Sequence, residues 1–137
     1  MYNFQKIYSS SFNTVYFDAR HSLLKMVALP ETTLQQEAVY KKELTHVIKT
    51  VEKYSPDYWL FNNAQNKFKI SSDLQTWQQE QLLNLFKKIN VNKSATVISA
   101  ELIFQSAQQT PLIPSQYFTN EEDALQWLVG SVKETIS

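Results

Sequence analysis

The feature that most constrains this chain is the alternation of short apolar runs with amphipathic helical segments, which follows two opening strands. Strands that alternate with helices predict a sheet whose faces are covered by those helices. For 137 residues we predict one α/β domain, with a mixed, mainly parallel sheet of about four or five strands and about four covering helices. Right-handed crossovers leave few topologies for such a sheet.

The strands are predicted from period-two alternation and from nearly continuous apolar runs. The segment "NTVYFDARHSLLKMVALP" predicts an N-terminal β-hairpin, and Pro30 ends its second strand. The run "DYWLFN" predicts a strand buried on both faces, with Trp59 and Phe61 in or beside the centre of the sheet. The predicted strands are Asn13–Asp18, Ser22–Leu29, 57–62, 94–100 and an edge strand at 115–118.

The helices are predicted from apolar stripes and end signals. In the first helix, Thr33 and Gln36 fit a capping box. Its apolar stripe has helical spacing and consists of Tyr40, Leu44, Val47, Ile48 and Val51. A second helix is predicted over Ser72–Asn90 and a shorter one over 101–109. The last helix follows a capping box formed by Thr119 and Glu122.

Glycine usage excludes several chemistries. The only glycine is Gly130, near the end of the sequence. Phosphate-binding loops need glycine where the backbone approaches the phosphates, so neither a P-loop nor a dinucleotide fingerprint can be built. A GxSxG nucleophile elbow is also absent. We therefore expect no nucleotide cofactor.

Composition narrows the class of protein further. The formal net charge is zero, so no overall field attracts nucleic acid or an anionic membrane. The chain has no cysteine, which excludes disulfides, thiol catalysis and cysteine metal sites. The sequence shows no signal-peptide pattern and no apolar run of the roughly 20 residues that span a membrane. We expect a cytoplasmic protein without integral membrane association; its oligomeric state stays open.

Metal binding and acid–base catalysis find little support in the sequence. His21 lies in the predicted hairpin turn, and His46 lies on the first helix. Glu43, three residues before His46, is the nearest approach to a metal-ligand pair. Aspartates such as Asp18 fall at element ends, where turns and caps favour them. We expect no catalytic residues and no metal site.

The order of elements resembles the SpoIIAA-like group, which joins the STAS domain of anti-sigma-factor antagonists and the Sec14 lipid-transfer fold. In detail, it resembles small, uncharacterised bacterial proteins of that group. The stretches that carry the resemblance cover nearly the whole chain: the opening hairpin, "YKKELTHVIKTVEKYSPDYWLFN", "ISSDLQTW", "ATVIS" and "QYFTNEEDALQWL".

The resemblance implies a site at one junction. In the antagonists, a serine at the start of the helix after a central strand is phosphorylated, within a pattern close to Asp-Ser-Ser-Gly-Leu. The matching stretch here is "ISSDL", which keeps Ser71 and Ser72 but has Ile70 and Asp73 at the flanking positions. The resemblance thus implies a regulatory, non-enzymatic protein-interaction domain. Its Sec14 side leaves open a binding module for a small apolar or lipid-like ligand.

The residues themselves give two interpretations of this junction. Structurally, Ser72 is a good N-cap, with Asp73 in the first turn and Gln75 completing a capping box. Functionally, a helix N-terminus suits a phosphate, and Phe68 with Trp77 could form an exposed apolar patch for a partner. The predicted interaction or phospho-switch junction comprises Asn62, Asn63, Phe68, Ser71, Ser72 and Trp77.

Overall fold

The computed structural model describes residues 2–29, 36–64, 72–98 and 114–136. These residues form a six-stranded mixed sheet with three helices. The strands are β1 (Gln5–Ser9), β2 (Asn13–Asp18), β3 (Leu23–Ala28), β4 (Tyr58–Asn62), β5 (Lys93–Val97) and β6 (Ser115–Phe118). The helices are α1 (Glu37–Glu52), α2 (Ser72–Ile89) and α3 (Glu121–Ile136).

The strands lie side by side in the order of the chain, β1-β2-β3-β4-β5-β6. The first three form an antiparallel meander, and β3 to β6 pair in parallel. The single α/β fold agrees with the prediction, but the sheet has six strands rather than four or five. Its antiparallel half also makes "mainly parallel" too strong a description. The helix predicted at 101–109 lies outside the described residues.

Strand β1 was absent from the prediction because its sequence carries little alternation. It lies at the sheet edge with a mostly exposed burial pattern. Its register shifts between Lys6 and Tyr8, and such an irregularity breaks the period-two pattern by which strands are recognised. The predicted hairpin is present as β2 and β3, with Asp18 opposite Leu23.

The handedness of the crossovers explains how the helices cover the sheet. Strand order advances in one direction from β3 through β4 to β5, so right-handed connections place α1 and α2 on the same face. Buried side chains of α1 and α2, such as Val47 and Leu85, share one core cluster with Val15. Helix α3 covers the opposite face through Ala124 and Leu128. The result is three layers, with the sheet between the helices.

Strand β4 lies in the middle of these layers, as the apolar run predicted. Trp59 and Leu60 are each fully buried and belong to the core clusters of opposite faces. Phe61 packs beside Trp59, with a centroid distance of 5.1 Å between the rings. The indole N–H of Trp59 has no hydrogen-bond partner among the described residues.

The ends of α1 and α3 differ from the predicted capping boxes. Gln36 has extended backbone and is the N-cap of α1, so it cannot be the third helical residue that a box with Thr33 requires. At α3, the N-cap lies one residue later than predicted: Asn120 Oδ1 accepts from the Asp123 backbone N–H at 2.8 Å, and Asn120 Nδ2 donates to Asp123 Oδ2 at 2.9 Å. The prediction with Thr119 and Glu122 is wrong because Thr119 and Asn120 are both suitable N-cap residues, and only geometry selects one.

Tight turns in this chain use residues other than glycine. Ser22, Ser55 and Asn90 have φ of 50°, 43° and 59°, in the left-handed region that favours glycine. Asn90 ends α2: the backbone N–H of Val91 donates to the Phe86 carbonyl at 3.2 Å, which is the Schellman arrangement. The positive φ of Ser22 also excludes it from β3, where the sequence had placed it.

Candidate functional site

The junction predicted as the working region lies at the carboxyl edge of the parallel strands. Strand β4 ends at Asn62, and α2 begins at Ser72. Ligands of open α/β sheets bind preferentially at this edge. Phe68 and Ser71 of the predicted site lie outside the described residues, as does the hydroxyl of Ser72. The described members are Asn62, Asn63 and Trp77, together with the backbone of Ser72.

Ser72 is the first residue of α2 rather than its N-cap. The cap prediction would have the helix begin at Asp73, but it begins one residue earlier. Two consecutive serines have equal chemical suitability for the cap, so the sequence could not distinguish them. This correction concerns one position and leaves the presence of the helix as predicted.

Asn62 and Asn63 point to opposite faces of the sheet. Asn62 Nδ2 donates to Glu121 Oε2 at 2.8 Å on the α3 side, and Asn62 Oδ1 accepts from the Ala64 backbone N–H at 3.2 Å. Lys25 Nζ also donates a hydrogen bond to Glu121 Oε1, at 3.0 Å. Asn62 therefore ties the end of β4 to the first turn of α3, whereas Asn63 lines a cleft on the face of α1 and α2.

That cleft, which we call the carboxylate cleft, lies between α1, α2 and the ends of β3 and β4. Its volume is about 40 Å³, room for about three water molecules. The polar lining includes three side-chain amides, those of Asn13, Asn63 and Gln78. The lining residues are Asn13, Met26, Ala28, Tyr40, Glu43, Leu44, Phe61, Asn63 and Gln78.

Glu43 is the hydrogen-bonding centre of this cleft. Its Oε1 accepts from the Tyr8 hydroxyl at 2.9 Å, and its Oε2 accepts from Ser10 Oγ at 2.5 Å and from Asn13 Nδ2 at 2.9 Å. Burial first, and then the hydrogen bond to Glu43, raise the pKa of Tyr8 to about 12. The phenol therefore stays neutral, and three neutral donors from the β1–β2 hairpin bind α1 through one carboxylate.

Sequence reasoning missed this cluster and had considered Glu43 only as a metal partner of His46. The structure separates the two side chains: Glu43 faces the hairpin, and His46 is exposed. Within the part of the chain that the structure describes, no group of three or more potential ligands is placed to hold a metal. The Glu43 contacts join residues at least 30 positions apart, so no local sequence pattern predicts them.

Trp77 lies at the surface of α2, and α1 lies alongside it. It is half-buried, and Lys41 Nζ lies 5.4 Å from the centroid of its ring, within the range of a cation–π contact. The Tyr40 hydroxyl donates to Gln78 Oε1 at 2.6 Å, and burial raises the pKa of Tyr40 to about 12. Helices α1 and α2 are thus joined by polar contacts where their packing meets solvent.

A second polar cluster, at the other edge of the sheet, surrounds the buried Asp18. Its Oδ1 accepts from the His21 backbone N–H at 3.2 Å, and its Oδ2 lies 2.9 Å from His21 Nδ1. The Asn3 backbone N–H also donates to Oδ2, at 3.0 Å. Burial acts to raise the pKa of Asp18, but the hydrogen bonds from Asn3 and His21 outweigh it, so the net pKa is lowered. The expectation that Asp18 serves a turn is confirmed.

Comparisons with family models, with curated proteins and with solved structures find no match for this chain. The resemblance to the SpoIIAA-like group therefore stays a prediction. No helix in the described ranges combines the length and apolar character needed to cross a membrane.

Proposed function

We propose that this chain is a non-enzymatic regulatory or protein-interaction domain of the kind that STAS-like antagonists exemplify. Its contact surface would lie where β4 leads into α2, on the side of the sheet covered by α1 and α2. The observation that carries the proposal is Trp77, which stays half-buried on α2 beneath Lys41.

Trp77 is a better candidate for a contact than for a core residue. It belongs to neither core cluster of the described residues, although tryptophan usually buries most of its large surface. Tryptophan is also one of the residue types enriched among the anchors that carry most of the energy at interfaces.

The non-enzymatic part of the proposal is supported by how the carboxylates are used. Glu43, Asp18 and Glu121 each accept hydrogen bonds that join separate elements of the fold. A carboxylate committed to structural donors is poorly placed to exchange protons with a substrate. These contacts instead stabilise the scaffold that presents the surface.

The experiment compares substitutions on and away from the proposed surface. Tagged protein would be cross-linked in the native host, and partners would be identified by mass spectrometry and then tested with purified components. We expect Trp77→Ala and Phe68→Ala to weaken partner binding, with the melting temperature nearly unchanged for Phe68→Ala. The matched control is Tyr54→Ala, which removes an aromatic side chain that is 39% exposed after the end of α1. Equal partner binding by all three variants would contradict the proposal.

The alternative function is binding of a small apolar or lipid-like ligand. The apolar floor of the carboxylate cleft, which includes Met26, Leu44 and Phe61, is the observation in its favour. The cleft of about 40 Å³ is far below the roughly 300–1,000 Å³ of typical ligand sites, so the interaction proposal has better support. A co-purifying apolar mass in native mass spectrometry would favour the ligand carrier. A phosphate on Ser71 or Ser72, sought by phosphopeptide mass spectrometry, would support a regulated interaction.

A further inference from the structure

We propose that the carboxylate cleft is a binding site for a primary ammonium group carried on a short alkyl stem. The source could be a free alkylamine or the end of a lysine side chain. The proposal concerns a different ligand from the partner of Trp77, and it can be tested on the purified protein alone.

The first step is the charge of the cleft. Among the described residues that line the cleft, Glu43 alone is charged. No lysine, arginine or histidine of the described ranges lies within ion-pair distance of its carboxylate, because the ion pairs there use Asp18, Glu121 and Glu52. The hydrogen-bond donors to Glu43 are neutral. A partly buried carboxylate without a counter-ion attracts a cation more strongly than one in open solvent.

The second step is the hydrogen-bonding capacity that remains. A carboxylate offers about four acceptor positions, and the hairpin uses three of them. Asn13, which lines the cleft, is only 5% exposed. Its Nδ2 donates to Glu43, and its Oδ1 accepts no hydrogen bond from the residues that the structure describes. The side-chain amide of Asn63, which also lines the cleft, likewise makes no hydrogen bond within the described ranges. An ammonium has three donors and no acceptor, which matches these acceptors.

The third step is the size of the cleft and the apolar part of its lining. A volume of about 40 Å³ admits an ammonium with one or two methylenes, if each occupies about the space of a water molecule. Met26, Ala28 and Phe61 supply apolar surface against which such methylenes can pack. A guanidinium has four heavy atoms in one plane and fits this space less well. A divalent metal would have to displace the donors that already bind the Glu43 oxygens.

The test is titration of ¹⁵N-labelled protein with ethylammonium chloride at constant ionic strength. Chemical shifts of the side-chain amides of Asn13, Asn63 and Gln78 report binding. We expect saturable shifts with a dissociation constant on the order of millimolar, as suits three heavy atoms. Neutral ethanol, of the same shape, should give no saturable shift. A second titration with Nα-acetyl-lysine methylamide distinguishes the sources: its binding supports a lysine side chain, and binding of the free amine alone supports a small amine.

Substitutions test whether the negative charge of Glu43 is responsible for binding. Glu43→Gln should weaken binding at least roughly tenfold, the equivalent of one hydrogen bond to a charged group. Glu52→Gln removes the same charge from the same helix, away from the cleft, and should change affinity less than about twofold. If Glu43→Gln fails to fold, Asn63→Ala replaces it, because it leaves the hairpin bonds intact and should weaken binding roughly threefold or more. Equal affinity of the tested cleft variant and Glu52→Gln, equal shifts with ethanol, or no saturable shift with either amine would overturn the proposal.

Discussion

Replacing Ser55 by glycine should stabilise this protein, although glycine usually destabilises. Ser55 follows α1 with φ of 43°, in the left-handed region where a Cβ atom crowds the following carbonyl. Its side chain contributes little to offset this cost, since Ser55 is exposed and its Oγ donates to the Glu52 carbonyl at a long 3.3 Å. Its backbone N–H donates to the Val51 carbonyl, and glycine keeps that bond.

The magnitude follows from two opposing terms. Left-handed backbone costs an L-residue roughly 1–2 kcal/mol, which glycine avoids. Glycine also gives the unfolded chain more freedom, which costs about 0.5–1 kcal/mol. The exposed hydroxyl bond is worth a few tenths at most. We therefore expect Ser55→Gly to raise the free energy of unfolding by roughly 0.5 kcal/mol.

A control two residues away isolates the backbone term. Lys53 is the C-cap of α1, with φ of −68° and ψ of −23°, so Lys53→Gly relieves no strain and should lower stability by about 0.5–1 kcal/mol. Urea unfolding followed by tryptophan fluorescence measures both variants, and an unchanged dependence on urea shows that the unfolded states are comparable. If Ser55→Gly loses as much stability as Lys53→Gly, the reasoning from positive φ is refuted.

Two further predictions concern Asp18 and Ser72. The folded pKa of Asp18 is lowered, so its stabilisation is present above the unfolded pKa of about 3.9 and is lost as pH falls through the folded pKa. Asp18→Asn should therefore lower the free energy of unfolding at neutral pH and weaken its dependence on pH in the acid range. Unfolding at several pH values measures this, and curves for wild type and variant that run parallel would refute the prediction. Because α2 begins at Ser72, Ser72→Ala should cost a few tenths of a kcal/mol rather than the roughly 0.5–2 kcal/mol of an N-cap. Thermal unfolding of Ser72→Ala and of Ser71→Ala measures the loss of stability in each variant. A loss near 2 kcal/mol for Ser72→Ala alone would show that Ser72 is the N-cap after all.

Local and periodic features of the fold could be predicted from the sequence alone. The apolar stripe of α1 was predictable because burial on a helix repeats at the helical period. Strand β4 was predictable because a strand buried on both faces is a nearly continuous apolar run. The hairpin of β2 and β3 was predictable from two short strand-forming runs separated by a turn, and its register places Asp18 opposite Leu23. The single glycine by itself excludes phosphate-binding loops.

Tertiary structure alone decided the features in which distant or competing groups meet. Asn62 and Asn63 are neighbours in sequence, yet the pleat of β4 directs one to Glu121 and the other into the carboxylate cleft. Asn120 was selected over Thr119 as a cap by hydrogen-bond geometry that both residues could satisfy chemically. The bonds that Glu43 receives from Tyr8, Ser10 and Asn13 span the β1–β2 hairpin and α1. Such contacts have no period in the sequence, because the partners meet only when the sheet and its covering helix pack together.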